Sequence, residues 1–413
     1  MPLRPTHPLA AAALLAVSAT ASAGAKEGIV PPTVMAIHDR LLTLDTHLDT
    51  PASLANEGWS IEEEHDVDAD FTQVDLPRMK KGGLDGGFWA IYTPQGPLDS
   101  ASLEKATNFA IMRGVVIREM IAADPANFVL ATRAGDAARI AAEGKRIVYM
   151  SMENAYPLGD DVSLVQTFHD MGVRLIGFAH FANNQFADSA TDPAGGHWGG
   201  LSPLGIQLLA EMNRLGIVPD ASHSSDKTFD DLLRLSKAPI ILSHSGCKAI
   251  YDHPRNIDDD RLRALAAKGG VIQINSFGSY LRAAAPNPER QKAMRALFAS
   301  MREEGMTKAQ RDTLIAQRRE IDRLYPDTGR PSFDDFMKHL LHALEVVGPD
   351  HVGIGLDWDG GGGVAGMEDV ARIPRITKAL LDAGYKEEDI AKIWSGNILR
   401  VLAANEAMVM PAR

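Results

Sequence analysis

Along the chain, short apolar runs rich in Val, Ile and Leu alternate with longer stretches in which apolar residues recur every three or four positions. Eight of the short runs read as strands: residues 41–45, 87–92, 146–152, 173–179, 217–221, 240–243, 271–275 and 352–356. Most are apolar at nearly every position rather than at every second one. That is the pattern of strands buried on both faces of a parallel sheet. Between them, residues 101–123, 134–143, 202–215, 225–235 and 259–267 carry the helical period. Ser202 with Pro203 starts one of these helices as a cap followed by a first-turn proline, and Gly216 closes it.

Strand–helix repetition to a count of eight implies a sheet closed on itself. The expected fold class is α/β, a (β/α)8 TIM barrel. An open doubly wound sheet is the main rival, but no Gly-x-Gly-x-x-Gly turn follows the first strand. Two segments exceed a minimal barrel. Residues 62–81 form a polar stretch after strand one. Residues 282–331 form a charged, helix-rich insertion between strands 7 and 8, on the side where barrels build their sites, so a lid is expected there.

Arg4, the apolar run from Leu9 to Val17 and the small-x-small triplet Ala21-Ser22-Ala23 read as a secretory signal peptide over residues 1–23. A single barrel domain would then occupy residues 24–413. No cysteine follows the apolar run to take a lipid, and no later run of about 20 apolar residues offers a membrane span. The expectation is a soluble protein exported to a bacterial periplasm. With 45% hydrophobic and 23% charged residues, the chain is neither disordered nor collagen-like. A net charge of −12 without a dense Lys/Arg cluster argues against a nucleic-acid partner. The one cysteine, Cys247, excludes an internal disulfide framework and a Cys-rich zinc site, and reads as a small buried residue.

Ionisable residues recur at or just after the predicted strand ends. They are His47 and Asp49 after strand one, Glu153 after strand three, His180 after strand four, and Asp220 and His223 around the end of strand five. His244 follows strand six, and Asp357 and Asp359 follow strand eight. In a barrel these ends converge on one pocket. His47, Asp49, Glu153, His223 and His244 make a nitrogen-and-oxygen donor set that suits zinc. Five donors exceed the needs of one four-coordinate catalytic ion, so two ions sharing a bridging Glu153 are expected. His47 and Asp49 would complete one site, His223 and His244 the other. Asp220 is placed to orient a histidine ligand. Ser222-His223 and Ser243-His244 lack the Gly-x-Ser-x-Gly elbow of a serine hydrolase. His38, His65, His169, His197, His253, His339, His342 and His351 lie off the strand ends and read as surface or satisfied side chains. The run Gly360–Gly363 lacks a phosphate-loop ending and reads as a flexible turn at the mouth of the site.

Several of these segments, in order, resemble the renal (membrane) dipeptidase family. They are Asp45-Thr46-His47-Leu48-Asp49, Glu153, Met171-Gly172-Val173-Arg174 leading to His180, Glu211-Met212-Asn213-Arg214-Leu215-Gly216, and Asp220-Ala221-Ser222-His223. Ser243-His244-Ser245, His253-Pro254-Arg255-Asn256, the stretch from Val347 to Gly355 with Asp357, and Gly396-Asn397-Ile398-Leu399-Arg400-Val401 continue the match, which runs from about residue 41 to 402. The resemblance implies a barrel with two zinc ions that cleaves dipeptides, including those with a D-residue at the C-terminal position. It implies that His180 contacts the scissile carbonyl, that Arg255 lies near the substrate carboxylate, and that Asp357 is the acid/base. It also implies homodimers. Phe277 stands where the family often carries a tyrosine near that carboxylate. A lactonase, phosphotriesterase or deaminase on the same barrel is the nearest alternative, but such relatives typically begin with His-x-His, where this chain has His47-Leu48-Asp49. The other alternative, an exported binding protein with a dead site, would have lost a ligand or Asp357.

Overall fold

The computed structural model describes residues 30–283, 286–300 and 305–409. The leader read at residues 1–23 lies outside them. Eight parallel strands form the ring: β1 (Leu44–Leu48), β2 (Gly86–Ile91), β3 (Arg146–Met152), β4 (Val173–Gly177), β5 (Val218–Asp220), β6 (Ile241–Cys247), β7 (Val271–Ile274) and β8 (Val352–Ile354). Each pairs with the next in chain order. Phe128–Leu130 and Asn256–Ile257 add short parallel strands beside β3 and β6. The seam between β8 and β1 is closed partly by side chains. Asp49 N–H donates to Trp358 O at 2.9 Å, while Leu356 N–H donates to the Asp45 carboxylate at 3.0 Å. The Thr46 hydroxyl reaches Ser243 O at 2.6 Å and Ile354 O at 3.2 Å, tying β1 to β6 and β8.

The ring has an apolar end and a polar end. Leu44, Leu175, Val218, Ile241 and Val271, at or near the starts of their strands, pack with Ile398, Val401 and Leu402 of the helix Asn397–Glu406. Burying each such side chain contributes about 1.5–3 kcal/mol. This plug leaves the carboxyl ends of the strands for polar residues.

The predicted helices at 101–123, 202–215, 225–235 and 259–267 appear as Ser100–Ala123, Pro203–Leu215, Asp226–Leu235 and Asp259–Ala267. Ser202 caps its helix by accepting from Gly205 N–H at 3.0 Å, and Gly216 follows with φ of 72°. Two strands differ from expectation by more than two residues. β1 lies three residues later than predicted, and β6 runs on to Cys247, so His47 and His244 sit inside strands rather than beyond them. The apolar pattern breaks at Asp45, Thr46, Ser243 and His244 because their polar groups are satisfied within the barrel.

The insertion supplies the helices Pro288–Ser300 and Lys308–Leu324. It docks on the segment after β1. Glu57 N–H donates to Met306 O at 3.0 Å, Arg319 donates to Ala69 O at 2.9 Å, and the Arg318 guanidinium lies 4.9 Å from the Phe71 ring centre. The two segments beyond a minimal barrel thus brace one another. Among the described residues no helix is long and apolar enough to cross a membrane.

Candidate metal centre

The strand ends deliver the ionisable residues to one point. Glu153 follows β3 directly, and its Oε1 faces four imidazoles: His180 Nε2 at 3.1 Å, His223 Nε2 at 3.4 Å, His47 Nε2 at 3.6 Å and His244 Nε2 at 3.8 Å. His223 and His244 approach each other Nε2 to Nε2 at 2.9 Å. The His47 and His244 rings stack with centroids 3.8 Å apart. Asp49 Oδ2 lies 3.3 Å from His47 Nε2, and Asp357 joins His47 and Asp49 with all three donor atoms within 4.8 Å of one another. All seven residues are buried.

Donors so crowded fit cations between them better than bonds among themselves. His47 Nε2, Asp49 Oδ1 and His223 Nδ1 are buried with no hydrogen bond of acceptable geometry, and buried polar atoms are ordinarily paired. The protonation states agree. Burial, with Arg255 or His47 adding to it, holds His223 and His244 well below the ordinary histidine range, so both offer a lone pair at neutral pH. Burial would raise Glu153, but His180 and the other imidazoles outweigh it and keep the carboxylate charged. Burial would likewise lower His47, but Asp49 and Glu153 hold it well above its usual value. The proton on His47 stands where two carboxylates call for positive charge. The donor set of imidazole and carboxylate suits a borderline divalent ion such as zinc.

The structure groups the expected ligands with one refinement. His244 stands beside His47 as well as His223, and His180 is as near to Glu153 as the expected ligands are. Behind them, His244 Nδ1 meets Ser243 Oγ at 2.8 Å, and Ser243 donates to Asp220 at 2.5 Å. Asp220 therefore orients His244 through a serine that the sequence reading set aside. Two of the site's residues are held in the left-handed region, His223 at φ 66° and Asp357 at φ 65°. Such strain costs about 1–3 kcal/mol each and gathers at functional sites.

The run Gly360–Gly363 forms the expected turn beside the site, and it is closely packed. A Cβ on Gly360 would fall onto the carboxylate oxygens of Asp49 and Asp357, and one on Gly362 onto Leu356 O. These glycines are there because the backbone passes against the site, which no side chain permits. Cys247 is buried, and burial pushes its thiol up to about 12, far from a reactive thiolate. His38 and His339 are buried with both ring nitrogens bonded, as satisfied histidines.

Arg255 lies behind His244 and is only 4% exposed. Its Nη2 donates to His244 O at 3.1 Å, its Nη1 lies 3.5 Å from Ser245 Oγ, and its Nε has no partner. Phe181, 50% exposed beside His180, and Tyr280, against Arg255, were not singled out from the sequence. Their only signal was position in the loops after β4 and β7.

The family model for membrane dipeptidases, peptidase family M19, matches residues 33–412. The chain belongs to the membrane dipeptidase family. This family member is 32% identical to dipeptidase tcpJ of Claviceps purpurea over 337 residues, covering 80% of this chain and 68% of that protein. It is 28% identical to dipeptidase aclJ of Aspergillus oryzae over 342 residues, covering 82% and 71%. The probable dipeptidase PvdM of Pseudomonas aeruginosa superposes with a TM-score of 0.78 at 30% identity, over 91% of this chain and 98% of that one. A metallopeptidase of Rhodobacter sphaeroides, solved with a phosphinate mimic of L-Ala-D-Ala, superposes with a TM-score of 0.69 at 26% identity, over 88% and 99%. The expected barrel and the expected family both hold, and this membrane dipeptidase relative carries clusters of candidate metal ligands.

Proposed function

We propose that the protein is a zinc-dependent dipeptidase with two ions per chain, cleaving the amide bond of dipeptides, those with a C-terminal D-residue included. The observation that carries this reading is Glu153 Oε1, a buried carboxylate oxygen ringed by four imidazole nitrogens within 3.8 Å. In this reading His47, Asp49 and Glu153 hold one ion, and Glu153, His223 and His244 hold the other. Zinc bound there supplies Lewis-acid polarisation and lowers the pKa of a bound water toward about 7.

The chain's own groups do the rest. His180 Nε2, beside Glu153, donates to the carbonyl oxygen as it gains charge, a contact of the kind worth about 3–4 kcal/mol. Asp357 takes a proton from the attacking water and returns it to the leaving amine. Burial, reinforced by Asp49 and Glu153, lifts the Asp357 carboxyl well above its ordinary value, which suits a group that must carry a proton mid-reaction. Arg255 holds the C-terminal carboxylate. Among the described residues it makes no ion pair, and a buried guanidinium without one favours an anionic guest. The phosphinate bound to the Rhodobacter sphaeroides relative supports acceptance of a D-residue. The same proposal includes export through the leader at residues 1–23, a periplasmic single-domain protein over residues 24–413, and homodimers.

The test is a panel of dipeptides varied in side chain and chirality, offered to chelated and to zinc-reloaded protein. Hydrolysis that appears only on reloading supports the reading. A reloaded protein inert to the whole panel, yet active on a lactone or phosphotriester, refutes it.

A further inference from the structure

Phe181 follows His180 in the loop that leaves β4, and it is half exposed. A single exposed apolar side chain is ordinary on a protein surface. This one is set against the metal centre. Its ring centre lies 4.0 Å from that of His180, with planes 55° apart, and 5.4 Å from that of His223, edge to face. Both imidazoles are buried. The phenyl ring therefore stands on the solvent side of the two histidines it touches.

The backbone holds it there. Ser189 Oγ donates to His180 O at 2.5 Å, and Thr191 Oγ1 donates to Phe181 O at 3.2 Å. Between them, Ala190 N–H donates to His223 O at 2.8 Å. Three consecutive residues thus tie together the carbonyls of His180, Phe181 and His223. The ring's place is fixed without packing around the ring itself, which leaves its outer face free for a guest. His180 also has an aromatic support of its own, since Tyr92 lies edge-on to it at 5.4 Å.

The chemistry of a dipeptide says which part of it meets this ring. The scissile carbonyl belongs to the N-terminal residue, whose side chain branches from the very next carbon. The C-terminal residue lies beyond the amide nitrogen, toward Arg255 on the loop after β6. Phe181 sits on the loop after β4, against the histidine assigned to the carbonyl oxygen, and so faces the N-terminal half.

We propose that Phe181 is a specificity-determining residue: the apolar wall of a subsite for the N-terminal side chain, which favours dipeptides that begin with a large apolar residue over those that begin with glycine. A side chain laid on the ring takes apolar surface of both out of water. This rests on the dipeptidase reading above. The competing role is structural: a second support for His180, blind to the side chain of the substrate.

Phe181→Ala removes the ring, and Phe181→Leu keeps an apolar side chain in its place. Each is compared with the unmodified protein after zinc loading, with zinc content measured on every sample. Two substrate series are used. One places Gly, Ala, Leu or Phe before a constant C-terminal alanine, and the other places the same four after a constant N-terminal alanine. The unmodified protein is expected to turn over Leu- and Phe-initiated dipeptides with a kcat/KM about tenfold or more above the Gly-initiated one, the scale of discrimination by an apolar pocket. Phe181→Ala should lose that ratio through the Leu and Phe substrates while keeping its zinc, and Phe181→Leu should retain most of it. If Phe181→Ala slows Gly- and Leu-initiated substrates by the same factor, the ring only positions His180 and the proposal falls. It falls equally if the lost preference belongs to the C-terminal series. If the unmodified protein cleaves dipeptides without preferring an apolar N-terminal residue, this proposal fails alone. If it cleaves no dipeptide, the dipeptidase reading fails and takes this proposal with it.

Discussion

Glu153 concentrates the electrostatics of the centre on one oxygen, and that geometry separates ligand roles from proton-transfer roles. Asp357 is the sharper case, because it lies close enough to His47 and Asp49 to be taken for a third carboxylate ligand. The account makes it a proton carrier. Asp357→Asn should keep the zinc content of the unmodified protein and lose about 10²–10⁴ in kcat, the usual contribution of a positioned acid/base. A variant that loses zinc in proportion to activity would make Asp357 a ligand instead. His47, Asp49, Glu153, His223 and His244 were legible because imidazoles and carboxylates stand out at the ends of apolar runs. Ser243 and Tyr280 were not. A serine between a histidine and an aspartate has no distinguishing spacing, and Tyr280 acquires its place only when the loop after β7 folds back over Arg255.

Elements hold these residues in place, and two of them can be tested separately from the chemistry. The glycine loop is the first. Gly360→Ala would drive a methyl into Asp49 and Asp357. It should lower zinc occupancy and activity together, while Gly135→Ala, at an ordinary φ of −70° with nothing near its Cβ, should change neither. Zinc analysis of the two proteins checks this. The helix Phe333–Val347, which packs beside the ring, is the second. Ser332 and Asp335 form a reciprocal cap at its start. Ser332→Ala should cost about 1 kcal/mol in urea unfolding.

Asp335 adds a pH dependence to that helix. Burial tends to raise it, but the Ser332 N–H and Lys338 outweigh burial and hold it at about 2, against an ordinary 3.8. A depressed folded value means the charged form is favoured on folding. Its stabilisation is complete above pH 4 and is lost as pH falls toward 2. Unfolding curves across that window should be steeper in pH for the unmodified chain than for Asp335→Asn. β3, a nearly uninterrupted apolar run, was read to the residue, and most of the others to within one or two. β1 was placed three residues early and β6 cut short because the residues that serve the site break the apolar pattern there.

In the whole molecule, an apolar plug at one end of the barrel leaves a polar, strained and charge-crowded opposite end. That end is stabilised by whatever cations it binds. Ions that bind only the folded chain add stability by mass action, about 2.7 kcal/mol at a hundredfold excess over Kd. Chelation should therefore lower Tm by about 5 °C or more and zinc should restore it. A chain whose Tm ignores chelator would have a centre that folds without metal. The barrel and its order were readable from eight apolar runs. The bracing of the insertion against the segment after β1 was not, because it rests on contacts between residues about 250 apart in the chain, such as Glu57 to Met306 and Arg318 to Phe71, that no local pattern encodes.

The central claim is that Glu153 bridges two metal ions. An anomalous difference map at the zinc edge, from crystals grown with zinc, tests it most directly. The account predicts two peaks about 3.5–4 Å apart, each within bonding distance of the Glu153 carboxylate. Peaks elsewhere, or a single peak that Glu153 does not touch, would contradict it.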